Sequence, residues 1–497
     1  MKTLFSFLVA FFCAISCLQA QSVSGKVVDQ QEQPVPFATV QAGARYGVIT
    51  NIEGEFTFNI PDESISDSIT ISCLGFETLE IALGDFSGGT IVLREKVTEL
   101  DEVLVSNKQL TPEEIVGAMM EVAPELHQVS DFSEVFFMRN QENQRLMDFS
   151  FEVDKASKTS RSDLRTLNSE VEALTQSLVG RRFNFFTEYY GDHLRLNDSV
   201  KVNVERSVIL KDKKRDISSE EITKKLINTI RPYLDTAATY KVKTGLIKVE
   251  DSLKTDEIFE QDLDSTKGKT RYVKSMLRWK LKDHQSFYKN EDLDFLQKRN
   301  RYTYALEGYS NIDGESVYII AFSPKRGSAM FLGKMYINVF DFGLMRMEYE
   351  MQEGEHLQNI NLKLLLGIKY REDRVKVMAD YRKNEDGKYY LKFGRKSSGM
   401  YAYISRPLKF IKNREDRSDN RQVFKIDFMF ELDNVSTSEI YIAENNPVSP
   451  ETFKAVEEQE RFQPLEIEVY DPGIWEGYNI IAPIEAIRNY GNSAKEL

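Results

Sequence analysis

The sequence predicts an all-β sandwich followed by an α+β domain, the latter built on a large antiparallel meander sheet, curved toward a half-barrel, with a few helices. Three observations carry this. Short β-rich runs separated by turn residues fill the stretch from Val23 to about Val105. Capping signatures and apolar stripes at three- and four-residue spacing mark helices between 106 and 300. From Tyr302 the apolar period changes to two, the period of a half-buried strand. The expected order is a signal peptide (1–20), a sandwich (21–105), a helix-rich mixed region packing on the sheet (106–300), the meander (301–445) and a C-terminal segment (446–497).

Lys2, the apolar run Leu4 to Leu18 and the small Ala20 before Gln21 fit an export signal. Ala14-Ile15-Ser16-Cys17 offers a second reading, a lipoprotein signal acylated at Cys17. No later segment reaches the roughly 18 apolar residues of a membrane helix, so no transmembrane span is expected in the mature chain. Cys13 and Cys17 fall in the signal, which leaves Cys73 alone and an internal disulfide impossible. Stability must then come from apolar cores, and 497 residues, 41% of them hydrophobic, suffice for two to four. The formal charge of −13 argues against nucleic acid. Between Lys363 and Lys425, however, eighteen Lys or Arg face eight Asp or Glu, a basic island in an acidic protein.

In the first domain the runs are Gly25 to Val28, Ala38 to Gln41, Gly47 to Thr50, Glu55 to Ile60, Ser68 to Cys73, Glu77 to Ala82 and Thr90 to Leu93. Seven runs at that spacing read as an antiparallel sandwich. Pro34-Val35-Pro36 belongs at an edge or in a loop, because proline gives no ladder donor. Asn51-Ile52-Glu53-Gly54 reads as a turn, with Gly54 free to adopt positive φ. Val23 to Asp29, Pro34 to Val40, Asn51 to Phe56 and Ser72 to Thr78, with Leu100 to Val105 closing, resemble the carboxypeptidase-regulatory-like (transthyretin-like) domain. That domain precedes many outer-membrane receptors of Bacteroidetes-type bacteria. The resemblance implies an accessory domain with no catalytic residues. The plug and barrel of those receptors are not expected here, since too few residues follow and Ala494 to Leu497 lacks the customary terminal aromatic.

Thr111-Pro112-Glu113-Glu114 is a capping box with proline at the first helical position, followed by Ile115, Val116, Met119 and Val122 on one face. Leu164, Leu167, Val171, Leu174 and Leu178 predict a second helix; with fewer than three heptads, the stripe reads as core rather than zipper. Ser218-Ser219-Glu220-Glu221 opens a third, and Lys241 to Asp264 reads as a surface excursion. Ten strands follow, from Tyr302 to Glu307 through Ser438 to Ala443, joined by polar hairpins such as Asn384 to Gly387. Gly314 to Lys325, Phe331 to Asn338 and Phe342 to Tyr349 resemble successive strands of LolA-like half-barrels, whose hollow, closed by helices, can hold acyl chains. Trp475 to Pro483 resembles the later part of exported Bacteroidetes proteins with the same first domain.

Chemistry is sparse. Only His127, His193, His284 and His356 exist, with no second histidine within five positions, so no metal site is expected. Glu355-His356 reads as polar residues beside a turn. No Gly-x-Ser-x-Gly elbow or nucleotide fingerprint occurs, and no cofactor is expected. Gly394-Arg395-Lys396-Ser397-Ser398-Gly399 reads as a basic hairpin loop, and Cys73 as a buried small side chain inside a strand. Tyr389, Tyr390, Lys392, Arg395, Lys396, Tyr401, Tyr403 and Arg406 form the candidate surface for a glycan or an anionic lipid, with Lys409, Lys412, Arg414 and Arg417 nearby; the plainer reading is the solvated face of a sheet. The function expected is that of a non-enzymatic envelope protein, in the periplasm or associated with the outer membrane, binding an envelope protein, glycan or lipid. The alternatives are a lipid or lipoprotein carrier with a LolA-like cavity, and a glycan hydrolase using one of many carboxylate pairs.

Overall fold

The computed structural model describes residues 21–43, 46–60, 68–86, 88–96, 110–127, 131–157, 159–211, 225–226, 228–235, 238–245, 247–254, 266–325, 327, 329–413 and 422–491. The signal segment, Leu100 to Val105, Ser218 to Glu221, Arg414 and Arg417 lie outside the described residues.

All seven predicted sandwich runs are strands or nearly so: β1 (Gln21–Val28), β2 (Thr39–Ala42), β3 (Tyr46–Ile49), β4 (Glu55–Ile60), β5 (Ser68–Ser72), β6 (Leu79–Ala82) and β7 (Gly89–Val92). They form two sheets, β4-β1-β7 and β3-β2-β5-β6. Alternate residues meet between them, with Val27, Val40, Phe58, Ile60, Ile69 and Ile71 fully buried. One pair departs from the antiparallel expectation, because β7 runs parallel to β1. The Asn51 turn closes as expected: Gly54 takes φ +77°, and a Cβ there would lie 2.3 Å from the Val27 carbonyl oxygen. Cys73 sits one residue beyond β5, half-buried, rather than inside a strand.

The rest of the chain is dominated by one sheet. Its strands are β8 (Phe132–Ala156), β9 (Arg182–Leu196), β10 (Ser199–Leu210), β11 (Thr239–Thr244), β12 (Ile247–Lys254), β13 (Tyr302–Ile312), β14 (Glu315–Pro324), β15 (Phe331–Asn338), β16 (Leu344–Met351), β17 (Gln358–Leu362), β18 (Ile368–Lys383), β19 (Tyr389–Lys412), β20 (Val423–Pro447) and β21 (Leu465–Ile467). The order is β13-β14-β15-β16-β18-β19-β20-β8-β9-β10-β21, with β17 on β18, β11 on β19 and β12 on β11. It is open, and its pairs are antiparallel apart from β10 with β21. The stretch between sandwich and meander therefore supplies five strands as well as helices. β8 pairs with β20 along its whole length and forms the middle of the sheet.

Gly394 to Gly399 is not a hairpin loop but the middle of β19, a single strand of 24 residues. The glycine has a packing reason: at Gly399 a Cβ would meet the Arg374 guanidinium at 2.2 Å, where β18 bulges and Arg374 takes φ +56°. Val423 to Leu432 and Ser438 to Ala443 likewise belong to one strand, β20.

Helices are α1 (Pro112–Leu126), α2 (Arg161–Gln176), α3 (Thr266–Gln285), α4 (Asp294–Gln297), α5 (Lys363–Leu366), α6 (Pro450–Ala455) and α7 (Glu485–Arg488). The capping box of α1 forms as predicted, with the Thr111 amide donating to Glu114 at 2.7 Å and the Glu114 amide to Thr111 at 3.3 Å. α2 packs its leucine stripe into the core against Val153, Phe424 and Ile426. Its Asn168 side chain also bonds both backbone groups of Val153 at 2.8 and 3.0 Å.

Side chains alternate between two covered faces. Phe136, Met138, Ile440 and Ile442 point to the side closed by α1, α3 and α4, where Val116, Met119, Leu277, Leu281 and Phe295 complete a core. Phe137 and Tyr441, one residue away, point to the other side, under Trp475, Ile481 and Ile487 of the C-terminal segment and Ile49 of the sandwich. A sheet buried on both faces needs continuous apolar runs, which is what Val135-Phe136-Phe137-Met138 supplies. The side covered by α1, α3 and α4 is packed. The cavity found there, beside Trp279, Phe287, Leu293 and Tyr349, measures about 70 Å³, against the roughly 300 Å³ at which ligand pockets begin.

Candidate functional site

The C-terminal segment lies on the second face of the sheet because a buried arginine holds it there. Arg139 on β8 donates through Nε to Glu188 at 2.7 Å, and through its terminal nitrogens to the carbonyls of Ile481 at 2.9 Å and Ala482 at 3.1 Å. Trp475 Nε1 donates to the second Glu188 oxygen at 2.8 Å. Both members of the ion pair are almost wholly buried, and Glu439 adds a carboxylate 3.7 Å from the guanidinium.

The sandwich is mounted on that segment. The Asn51 amide nitrogen donates to the carbonyls of Ala482 and Pro483 at 3.3 and 3.2 Å, while its oxygen accepts from the Glu53 and Glu55 amides. The Asn479 side chain accepts from the Asn59 amide at 2.8 Å and donates to the Asn59 carbonyl at 3.1 Å. Arg488 pairs with Glu53 and Glu55, and Tyr441 Oη donates to the Gly47 carbonyl at 2.5 Å. Asn51 thus serves its own turn and the docking at once. Asn51→Ala should cost about 1–3 kcal/mol, the price of leaving buried partners unmet. Faster protease cleavage between sandwich and sheet, with the sheet's own melting nearly unchanged, is the expected readout.

Docking leaves a seam with two adjoining cavities, of about 450 and 490 Å³, which share Thr39, Asp313 and Arg382 as lining. The first adds Cys73, Arg346 and Asp380; the second adds Lys383, Tyr390, Lys392 and Glu444. Burial dominates the electrostatics. It pushes the Cys73 thiol up to about 11 and the Asp380 carboxyl upward, although Arg346 lies 3.5 Å from that carboxyl. It also pushes the Lys392 ammonium down to about 8, helped by Arg382. Lys392 Nζ donates to the Ala443 carbonyl at 3.2 Å and stands 4.9 Å from the centre of the Tyr441 ring. Such a seam can hold polar and anionic groups.

The eight residues singled out in sequence all lie on β19, yet the strand does not gather them. Seventeen steps from Tyr389 to Arg406 span about 56 Å at 3.3 Å per residue. Tyr390 and Lys392 reach the seam. Tyr389 is buried on the helix side and donates to Asp341 at 3.0 Å. Arg395 pairs with Glu439, and Lys396 borders the small helix-side cavity. Tyr401 donates to Glu431 at 2.7 Å, Tyr403 lies under Lys363, and Arg406 lines a separate cavity of about 420 Å³ near α2. Sequence reasoning missed Arg346, Arg382, Asp313 and the sandwich residues opposite them, because only the docking brings them together.

Among the described residues no group of three or more His, Cys, Asp or Glu is arranged to hold a metal ion. His193 Nδ1 instead meets Glu134 at 3.0 Å in a buried pair completed by Asn445. Among the described residues no helix is long and apolar enough to cross a membrane.

A small sandwich carried on a broad open sheet, with a polar seam between them, is the architecture these contacts define. Residues 23–105 match the CarboxypepD_reg-like domain; the remainder of the chain lies outside that match. No curated protein matches the chain. Among solved structures, a LolA superfamily protein from Nitrosomonas europaea is 9% identical, with 69% of this chain and 95% of that one covered and a TM-score of 0.17. A DUF1329 family protein from Desulfovibrio piger is 10% identical, with 63% and 90% covered and a TM-score of 0.14. Neither superposes closely enough to bear on function.

Proposed function

We propose that the chain is a non-catalytic binding protein of the cell envelope, exported by its N-terminal segment, which receives a polar partner, a glycan or peptide strand, in the seam between sandwich and sheet. The observation that supports it most is the seam itself: charged groups of both signs line a recess of ligand-pocket size,. The carrier alternative would need an apolar hollow; beneath α1, α3 and α4 the protein's own side chains leave about 70 Å³, and the cavity of about 420 Å³ beside α2 carries Glu152, Glu172, Arg406 and Asp427 in its lining.

The test is a glycan and peptide array probed with the full chain and with Arg382→Glu and Lys392→Glu. The reading predicts ligands whose binding falls at least tenfold in both variants, with no release of reducing ends or free amines on long incubation. Turnover abolished by changing one carboxylate would overturn it in favour of a hydrolase. Cell fractionation showing the protein retained in the cytosol would overturn the envelope assignment.

A further inference from the structure

The β17–β18 hairpin ends in an apolar point. Its strands pair from Gln358 with Glu372 to Leu362 with Ile368, and the connection is the single turn α5 closed by Gly367. Gly367 takes φ +62°, and its amide donates to the Lys363 carbonyl at 3.0 Å. The Ser405 amide of β19 donates to the Gly367 carbonyl at 2.7 Å, and a Cβ at this glycine would lie 2.0 Å from the Ser405 carbonyl oxygen. The end of the hairpin is therefore pinned to the main sheet and held in one shape.

That shape presents leucines to water. Leu364 and Leu365 are 102% and 82% exposed, the two most exposed large hydrophobics among the described residues, and Ile360 and Leu362 add 47% and 38%. Scattered exposed leucines are ordinary, but four within six residues at a fixed protrusion form a patch that marks an interaction. From Gln358 to Arg371 the sequence holds Lys363, Lys369 and Arg371 and no acidic residue, in a chain of formal charge −13. Lys363 Nζ stands 4.0 Å from the centre of the Tyr403 ring, and Lys369 and Arg371 each stand 5.4 Å from that of Tyr401. Acidic residues begin behind that stretch, on the same strand and on its neighbours: Glu372 stands opposite Gln358, Asp373 pairs with Arg371, and Glu431 accepts from Tyr401.

We propose that this hairpin end seats the protein on a lipid bilayer, with Leu364 and Leu365 entering the acyl boundary and the lysines and tyrosines behind them lying among anionic headgroups. Convexity and charge select this occupant. Two adjoining, almost fully exposed leucines would need a deep pocket in a protein partner, whereas a bilayer admits any apolar protrusion. Cations and amphipathic rings behind an apolar tip are what the headgroup layer accommodates. The proposal is independent of the seam and of any ligand there.

The experiment is flotation of the full chain with vesicles of phosphatidylcholine alone and of phosphatidylcholine with one quarter phosphatidylglycerol, comparing wild type with Leu364→Asp/Leu365→Asp. A Leu365→Trp variant is measured in vesicles whose lipids are brominated near the headgroup. Both sites are exposed, so thermal melts should coincide with the wild type. The proposal expects at least a tenfold weaker partition for the double variant, stronger wild-type binding to the anionic vesicles, and quenching of the tryptophan emission added at position 365. No added quenching, or partition equal in wild type and double variant, overturns it. So does self-association of the wild type that the double variant abolishes, which would assign the tip to a second copy of the chain.

Discussion

Arg139→Ala is expected to lower stability by about 3–5 kcal/mol, because it removes one partner of a buried ion pair and strands the other. Glu188 would keep only the Trp475 indole, and the carbonyls of Ile481 and Ala482 would lose their donor. The loss should reach beyond the sheet: with the C-terminal segment unpinned, the sandwich that Asn51 and Asn59 fasten to it should become separable. Urea denaturation followed by circular dichroism, with limited proteolysis of the native protein, measures both effects. Arg139→Met combined with Glu188→Leu should recover only part of the stability: the stranded charge is gone, but the Ile481 and Ala482 carbonyls and the Trp475 indole stay without their partners. A cost below about 1 kcal/mol for the single change would mean that the arginine does not anchor the segment.

The second large effect is with pH. His127 follows the last turn of α1, fully enclosed, stacked on Tyr389 with ring centres 5.0 Å apart and set edge-on to Phe287 and Tyr381. Its Nε2 accepts from the Leu344 amide at 3.1 Å, so the proton of the neutral ring belongs on Nδ1, which has no partner. Burial pushes its pKa down to about 3, against a weak opposing pull from Asp341. Below the ordinary histidine value near 6.5, the unfolded chain takes up a proton that the folded one refuses. The contribution of this site is therefore complete above about pH 6.5 and falls by about 1.4 kcal/mol per pH unit as acid is added, until the folded pKa is reached. His127→Gln, whose amide oxygen can accept from Leu344, should be the weaker protein at pH 7.5. Its deficit should shrink by about 2–3 kcal/mol by pH 4.5. A deficit constant across that range would show that the ring titrates normally.

How much of this was legible in sequence depended on range. The sandwich strands could be read because each ends in its own turn residues, and α1 because Thr111, Pro112 and Glu114 signal its start within four positions. The long strands were broken in reading because Gly394 to Gly399 looks like a loop; nothing local says that Gly399 makes room for Arg374 across the bulge. That β8 lies beside β20 could not be read at all, since the pairing is encoded only in matching two-sided apolar runs nearly three hundred positions apart. The seam followed the same rule. Tyr390 and Lys392 were noticed for their chemistry, whereas Asn51 was noticed only for its turn, and its second role depends on carbonyls more than four hundred residues away.

The central place of the β8–β20 pair has a consequence for how the chain acquires its shape. Register contacts such as Phe136 with Ile442 or Phe151 with Phe428 join residues made early to residues made late. A ribosome adding about 5–20 residues each second takes about fifteen seconds or more to supply the later partner. The sandwich can condense meanwhile and β8 can pair with β9, but the edge of β8 that faces β20 must wait with its amides unpaired. Topology of this kind folds slowly and courts aggregation; the molecule's most vulnerable moment is thus its own biosynthesis, when a holding chaperone has most to offer.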